Sequence, residues 1–120
     1  LAFELELAEA LNELPTDTQV MLFQIVRELV TNVRKHARAG RVRIHCTAGG
    51  GWLELQIDDD GVGFEAPARL APPDNGGFGL VSIRDRIELL GGRFLVHSVP
   101  GEGTQVTLMV PRFAAVSPDP

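Results

Sequence analysis

From Leu14 to Gly40 the chain reads LPTDTQVMLFQIVRELVTNVRKHARAG, and its apolar residues recur at three-and-four spacing. Leu22, Ile25, Val26, Leu29, Val33 and Ala37 fall on one stripe, which predicts a single long amphipathic helix. Thr16 or Asp17 is the expected N-cap, and Gly40 the expected stop. Such a helix must lay its stripe on something, and the rest of the chain offers strands. FELEL at 3–7 alternates Phe3, Leu5 and Leu7 with Glu4 and Glu6, the period of a half-buried strand. RVRIHCT at 41–47 places Val42, Ile44 and Cys46 on one side and Arg41, Arg43, His45 and Thr47 on the other. AGGG reads as a hairpin turn into WLELQID, where Leu53, Leu55 and Ile57 alternate with Trp52, Glu54, Gln56 and Asp58.

GLVSIRDRIELLGG at 79–92 predicts a second helix closed by a glycine pair, followed by the strands RFLVHSV and TQVTLMVP joined by PGEG. The order strand, helix, two hairpin strands, helix and strand pair predicts an α+β fold. It is a two-layer sandwich, with a mixed, mostly antiparallel sheet and helices on one face. FEAPARLAPPDNGG at 64–77 holds three prolines and no strong period, so it is expected to be a mobile loop with at most one short helical turn. The last residues, RFAAVSPDP, predict a frayed end, which gives one domain over 1–113 and a flexible tail over 114–120.

At 120 residues the chain is sized for one core. Its net charge of -5, with Lys35 the single lysine, argues against general nucleic-acid binding, which needs a basic surface. An anionic small ligand stays compatible if backbone amides or a metal hold it. The single Cys46 cannot form an internal disulfide and suits a reducing cytoplasm. No apolar run is long enough to span a bilayer and no secretory signal opens the chain, so no membrane contact is expected. The opening at Leu1, inside a strand pattern, reads as a domain taken from something longer.

Candidate chemistry concentrates in QIDDDGVGFE at 56–65. Side chains alternate along a strand, so Leu53, Leu55 and Ile57 carry on to Asp59, which is expected on the buried side. A carboxylate held against a core needs a donor. A strand-end aspartate bonding its own turn is the plain alternative. Gly61 and Gly63 let backbone come close to a flat ligand, or serve a turn that needs positive φ. On the last strand Thr104 shares the inward side of Val106, Leu108 and Val110, so a hydroxyl and a carboxylate are expected at one edge. An ordinary buried threonine bonded to backbone is its alternative.

Glu28 and Asn32 lie one helical turn apart, with Lys35 and His36 at the next, all within about 100° of arc on a regular helix. They form either the solvated edge of the helix or an oxygen pair suited to hydrated magnesium, with Lys35 and His36 toward phosphate. NGGFGL supplies Gly76, Gly77 and Gly79 ahead of Leu80, where exposed amides at a helix start favour anions. No GxxxxGK[ST] occurs, which excludes a P-loop. His45 and His97 sit at outward parity and read as surface residues.

Taken in order, RELVTNVRKHA, IDDDGVGF, GGFGL and PGEGT resemble the N box and three glycine boxes of the ATP-binding domain of sensor histidine kinases, over roughly residues 3–111. VTNVRKHARAG and GLVSIRDRIELLGG look most like the nitrate-sensor and desaturase-regulator type. The resemblance implies a Bergerat-type sandwich that binds ATP and Mg2+. It implies that Asp59 accepts from the adenine amino group with Thr104 nearby through water, and that Asn32 ligates magnesium with Glu28 beside it. It also implies that Gly61 and Gly63 shape the adenine pocket, that Gly77 and Gly79 contact phosphates beside Leu80, and that Glu65 to Gly76 forms a short lid.

A phospho-accepting histidine is expected on a separate dimerisation domain, because none of His36, His45 or His97 sits in a matching context. The implied partners are that domain, a response regulator and a second copy of the parent, which is cytoplasmic or membrane-anchored. An anti-sigma-factor serine kinase of the same fold, and a nucleotide-binding module without turnover, are the alternatives.

Overall fold

The computed structural model describes residues 2–63 and 80–112, with the backbone alone at 36 and 37. The loop expected over Glu65 to Gly76, the glycines at 76, 77 and 79, and the tail over 114–120 lie outside the described residues. Five strands, β1 (Ala2–Glu6), β2 (Arg41–Gly49), β3 (Trp52–Asp59), β4 (Arg93–Val99) and β5 (Gly103–Pro111), form one sheet in the order β1-β2-β3-β5-β4. Only β1 and β2 run parallel; the other three pairings are antiparallel. Helix α1 (Thr16–Asn32) continues into a π-helical turn (Val33–Ala37), and α2 (Leu80–Leu89) precedes β4.

Alternation in the sequence decides which sheet face is buried. Val42, Ile44, Cys46, Leu53, Leu55, Ile57, Val106, Leu108 and Val110 are all buried. They meet Leu22, Ile25, Leu29 and Val33 of the first helical segment and Leu80, Ile83 and Ile87 of α2. The two layers and the single core therefore match the expected sandwich. Gly50 and Gly51, both at positive φ, close the β2–β3 hairpin, as a two-residue turn matched to strand twist requires.

Three expectations are corrected. Phe3, Leu5 and Leu7 are 49%, 66% and 54% exposed, because β1 is an edge strand that the helical layer does not cover. With Leu11, Leu22 and Phe23, Leu5 and Leu7 line an open apolar groove of about 370 Å3. Neither Thr16 nor Asp17 caps α1: Pro15 takes the N-cap position with no side-chain bond, and Thr16 is already helical. Gln19 instead turns its amide back to the Leu14 carbonyl at 2.8 Å.

The third correction is the helix end. Regular α geometry stops at Asn32, the π turn follows, and Arg38 takes the left-handed conformation at φ 52° before Gly40 is reached. Gly40 serves as an anchor rather than a stop, its carbonyl accepting from Ala2 N at 2.8 Å. Asp60 Oδ1 accepts the amides of Gly40 at 2.8 Å and Arg41 at 3.0 Å. It thereby ties the exit of the first helical segment to the exit of β3.

Those same two amides, Arg41 first, hold the Asp60 carboxyl below its ordinary range. A carboxyl whose folded pKa lies below its unfolded value contributes stability above about pH 4, lost as pH falls through the folded value. Asp60→Asn keeps an acceptor oxygen but does not titrate there. Its denaturation midpoint is predicted to fall less than that of the parent between neutral and acid pH, and superimposable acid limbs would contradict this. Gly103 sits at φ 89°, where an added Cβ would run into the Asp59 carbonyl. Gly103→Ala is predicted to destabilise the fold by about 2–4 kcal/mol from strain and overpacking, read from urea unfolding.

Candidate functional site

At one end of the sheet the pairing register lines up Val42, Asp59, Thr104 and Ser98 across β2, β3, β5 and β4. Asp59 and Thr104 are direct cross-strand partners, which places carboxylate and hydroxyl at one edge as parity predicts. With Leu29, Val33, Ile57, Leu80 and Val106 they line a shared slot, apolar on its walls and polar at one edge. The space enclosed there is about 10 Å3, room for roughly one water.

Asp59 combines both readings of its position. Its Oδ1 accepts the Gly61 amide at 2.9 Å, the local turn bond of a strand-end aspartate. A carboxylate accepts several donors at once, and the Gly61 amide is one of those that hold this one. Gly61 thus orients the acid that lines the slot. Gly63 takes φ 67°, and a Cβ there would meet the Val99 carbonyl. Close backbone packing against the β4–β5 turn accounts for that glycine.

Thr104 is buried, and its hydroxyl bonds the Ser98 hydroxyl at 2.8 Å rather than the backbone acceptor of an ordinary buried threonine. Ser98 also donates to the Gly103 carbonyl at 3.1 Å. Sequence reasoning missed Ser98, although the signal was present: His97 at outward parity puts its neighbour inward.

The helical stripe is rearranged by the π turn. Glu28 is exposed and its Oε2 receives Nη2 of Arg86, from α2, at 2.5 Å. Asn32 ends the α-helix half-buried. A π turn bonds five residues apart, so Lys35 no longer stands where regular spacing from Asn32 would set it. It is exposed and lines an open hollow of about 270 Å3 with Arg34 and Thr31, a cationic surface that the sequence reading assigned to Lys35 and His36. The backbone of His36 lies in the π turn. Asn32 and Glu28 offer amide and carboxylate oxygens, the hard donors that magnesium takes. Among the described residues, no group of three or more His, Cys, Asp or Glu is placed to hold a metal. His45 and His97 stand on the open sheet face as expected, His45 bonding Gln56 at 2.8 Å. No described helix is long and apolar enough to cross a membrane.

Comparison with known proteins agrees with this geometry. A sensor-like histidine kinase of Chloroflexus aurantiacus is 44% identical over 92 residues, covering 75% of this chain and 15% of that protein. The histidine-protein kinase/phosphatase DegS of Brevibacillus brevis is 30% identical, covering 81% and 24%. The nitrate/nitrite sensor NarQ of Escherichia coli is 38% identical, covering 79% and 16%. The chain thus spans less than a quarter of each of these relatives. Among solved structures, the blue-light activated histidine kinase of Erythrobacter litoralis superposes with a TM-score of 0.76 at 24% identity, over 92% of this chain and 35% of its own, a likeness of fold. ShkA, solved in complex with AMPPNP, superposes at 0.69 with 27% identity, over 97% and 27%. The model of the histidine kinase-, DNA gyrase B- and HSP90-like ATPase family matches residues 17–114, and the chain belongs to that family.

Proposed function

We propose that this chain is the ATP-binding catalytic domain of a sensor histidine kinase. It holds Mg-ATP and presents the γ-phosphoryl to a histidine on a dimerisation domain elsewhere in the parent. The observation that carries this reading is the pairing of Asp59 with Thr104 at the edge of an apolar slot. Adenine is flat and apolar on its faces and carries an amino donor on one edge, and the slot matches both properties. The enclosed space is smaller than a purine, so the base enters with displacement of the slot's walls.

In this reading Asp59, pinned by the Gly61 amide, accepts from the amino group, and Thr104 meets the same edge. Leu29, Val33, Ile57, Leu80 and Val106 exclude water from the base. Asn32 offers its amide oxygen to magnesium, which when bound neutralises charge on the phosphate oxygens. Lys35 stands at the helix end, beside Arg34, where cations meet phosphate. Glu28 is held by Arg86 and stands one turn before Asn32 to act beside the metal. Gly77 and Gly79, proposed to give their amides to phosphate ahead of Leu80, complete the site.

Phosphoryl transfer asks the domain mainly for positioning and charge neutralisation. The acceptor histidine, the second copy of the parent and the response regulator belong to the whole protein, in keeping with the names of its relatives. The chain alone is expected to bind nucleotide without phosphorylating itself. A cytoplasmic site of action follows from the ATP it needs.

Magnesium-ATP, or its non-hydrolysable analogue, is predicted to bind one to one. Asp59→Asn is predicted to weaken that binding by about 10- to 100-fold, the range for a hydrogen bond to a charged group. Calorimetry giving equal affinities would remove the adenine assignment. Asn32→Ala is predicted to abolish the magnesium dependence of binding. A variant whose affinity still drops on adding chelator would count against Asn32 as the ligand.

A further inference from the structure

We propose that the apolar groove between β1 and the first half of α1 is a docking site for an amphipathic helix of a separate protein, apolar along one stripe and basic on its flanks. The groove lies toward the opposite end of α1 from Asn32 and needs nothing from the adenine slot.

The wall that α1 contributes is Gln19, Leu22, Phe23 and Val26, which stand at i, i+3, i+4 and i+7. That is the spacing with which one helix meets another. Leu22, Ile25 and Leu29 already face the core, so this second stripe shares Leu22 with the first and turns outward through Phe23, which is 69% exposed. Gln19 commits both amide hydrogens to carbonyls, those of Asn12 at 3.2 Å and Leu14 at 2.8 Å. Across the groove stand Leu5 and Leu7, left open because the helical layer stops short of β1. Packed helices lie about 8–10 Å apart, roughly twice the distance between neighbouring strands. A helix set beside α1 would therefore lie over β1 and complete the layer, with its apolar stripe in the groove of about 370 Å3.

Charge selects the kind of helix. The stretch from residue 1 to residue 26 supplies every groove residue except Ile44 and Leu55. It carries Glu4, Glu6, Glu9, Glu13 and Asp17, and no Lys, Arg or His. Arg41 and Arg43 approach Glu4, and Arg112 holds Glu13. Glu6, Glu9 and Asp17 are exposed, and among the described residues no ion pair engages them. Opposite charge across an interface steers the encounter, and like charge is rejected. A second copy of this chain, meeting the same patch about a two-fold axis, would set these acids against themselves. An anionic membrane surface would be repelled. Steering of this kind serves an encounter between separate molecules, which a tethered segment does not need.

The test is fluorescence anisotropy on this 120-residue chain with three labelled helical peptides of about 18 residues, or about five turns. All three share a leucine stripe at i, i+3, i+4 and i+7, and their flanks are lysine, glutamine or glutamate. The lysine peptide is expected to bind about tenfold more tightly than the glutamate peptide, with the difference shrinking as salt is added. Phe23→Ser and Leu5→Ser, both at exposed positions, are each expected to weaken the lysine peptide about tenfold, as loss of an apolar anchor does. A lysine peptide with its leucines scrambled off the stripe is expected to bind no better than that. Glu9→Lys combined with Asp17→Lys is expected to reverse the order of the lysine and glutamate peptides. Urea unfolding like that of the parent establishes that a variant is folded, and should either serine variant fail this, the charge-reversed variant decides. Equal affinities for the three peptides, or lysine-peptide binding untouched by these substitutions, overturns the proposal. So does dimerisation of the chain through Phe23, binding of anionic vesicles through it, or loss of peptide binding in the intact parent, where the groove would be filled from within. None of these readouts requires nucleotide, so a negative result leaves ATP binding standing.

Discussion

The antiparallel seam between β3 and β5 is the constraint on which this molecule turns. It is central in the sheet, flanked by β2 on one side and β4 on the other, so its register is buttressed from both edges. One residue of slip would send Leu53, Leu55 and Ile57 to the open face and carry Asp59 with them. The apolar residues that stabilise the core thus also aim the acid, and folding energy specifies the site without separate provision for it. Asp60 extends that control to the first helical segment, since its carboxylate holds Gly40 and Arg41 against the end of β3.

The polar end of that helical segment is governed by charge and by one local irregularity. Glu28 would carry an exposed negative charge into a protein already acidic, and Arg86 offsets it from the neighbouring helix. The two side chains are 51% and 26% exposed, so the pair adds little to stability. Its effect is geometric, linking α1 to α2 near the slot. Asn32 stands where the regular hydrogen-bond pattern ends, and helical irregularities of this kind gather at functional positions.

Much of this was legible in the residues because both periods are clean. Alternation placed Asp59 and Thr104 on the inward face, and the three-and-four spacing found the buried stripe of α1. Failures came where a residue's state depends on something far along the chain. Phe3, Leu5 and Leu7 alternate as well as any strand, but nothing in FELEL says that the strand will be an edge beyond the reach of the helices. The π turn is invisible to a spacing argument that assumes a uniform helix. Arg86 meets Glu28 at a separation of 58 residues, which no local pattern encodes. Ser98 was within reach, because the rule that turned His97 outward turned its neighbour in.

The π turn at Val33–Ala37 amounts to one residue more than the helix needs to cross the sheet. Deleting a residue there would restore uniform winding and swing the cationic end through about 100° relative to Asn32, with Leu22, Ile25 and Leu29 undisturbed. Such a deletion would re-aim Arg34 and Lys35 while the buried stripe of α1 kept its place on the sheet.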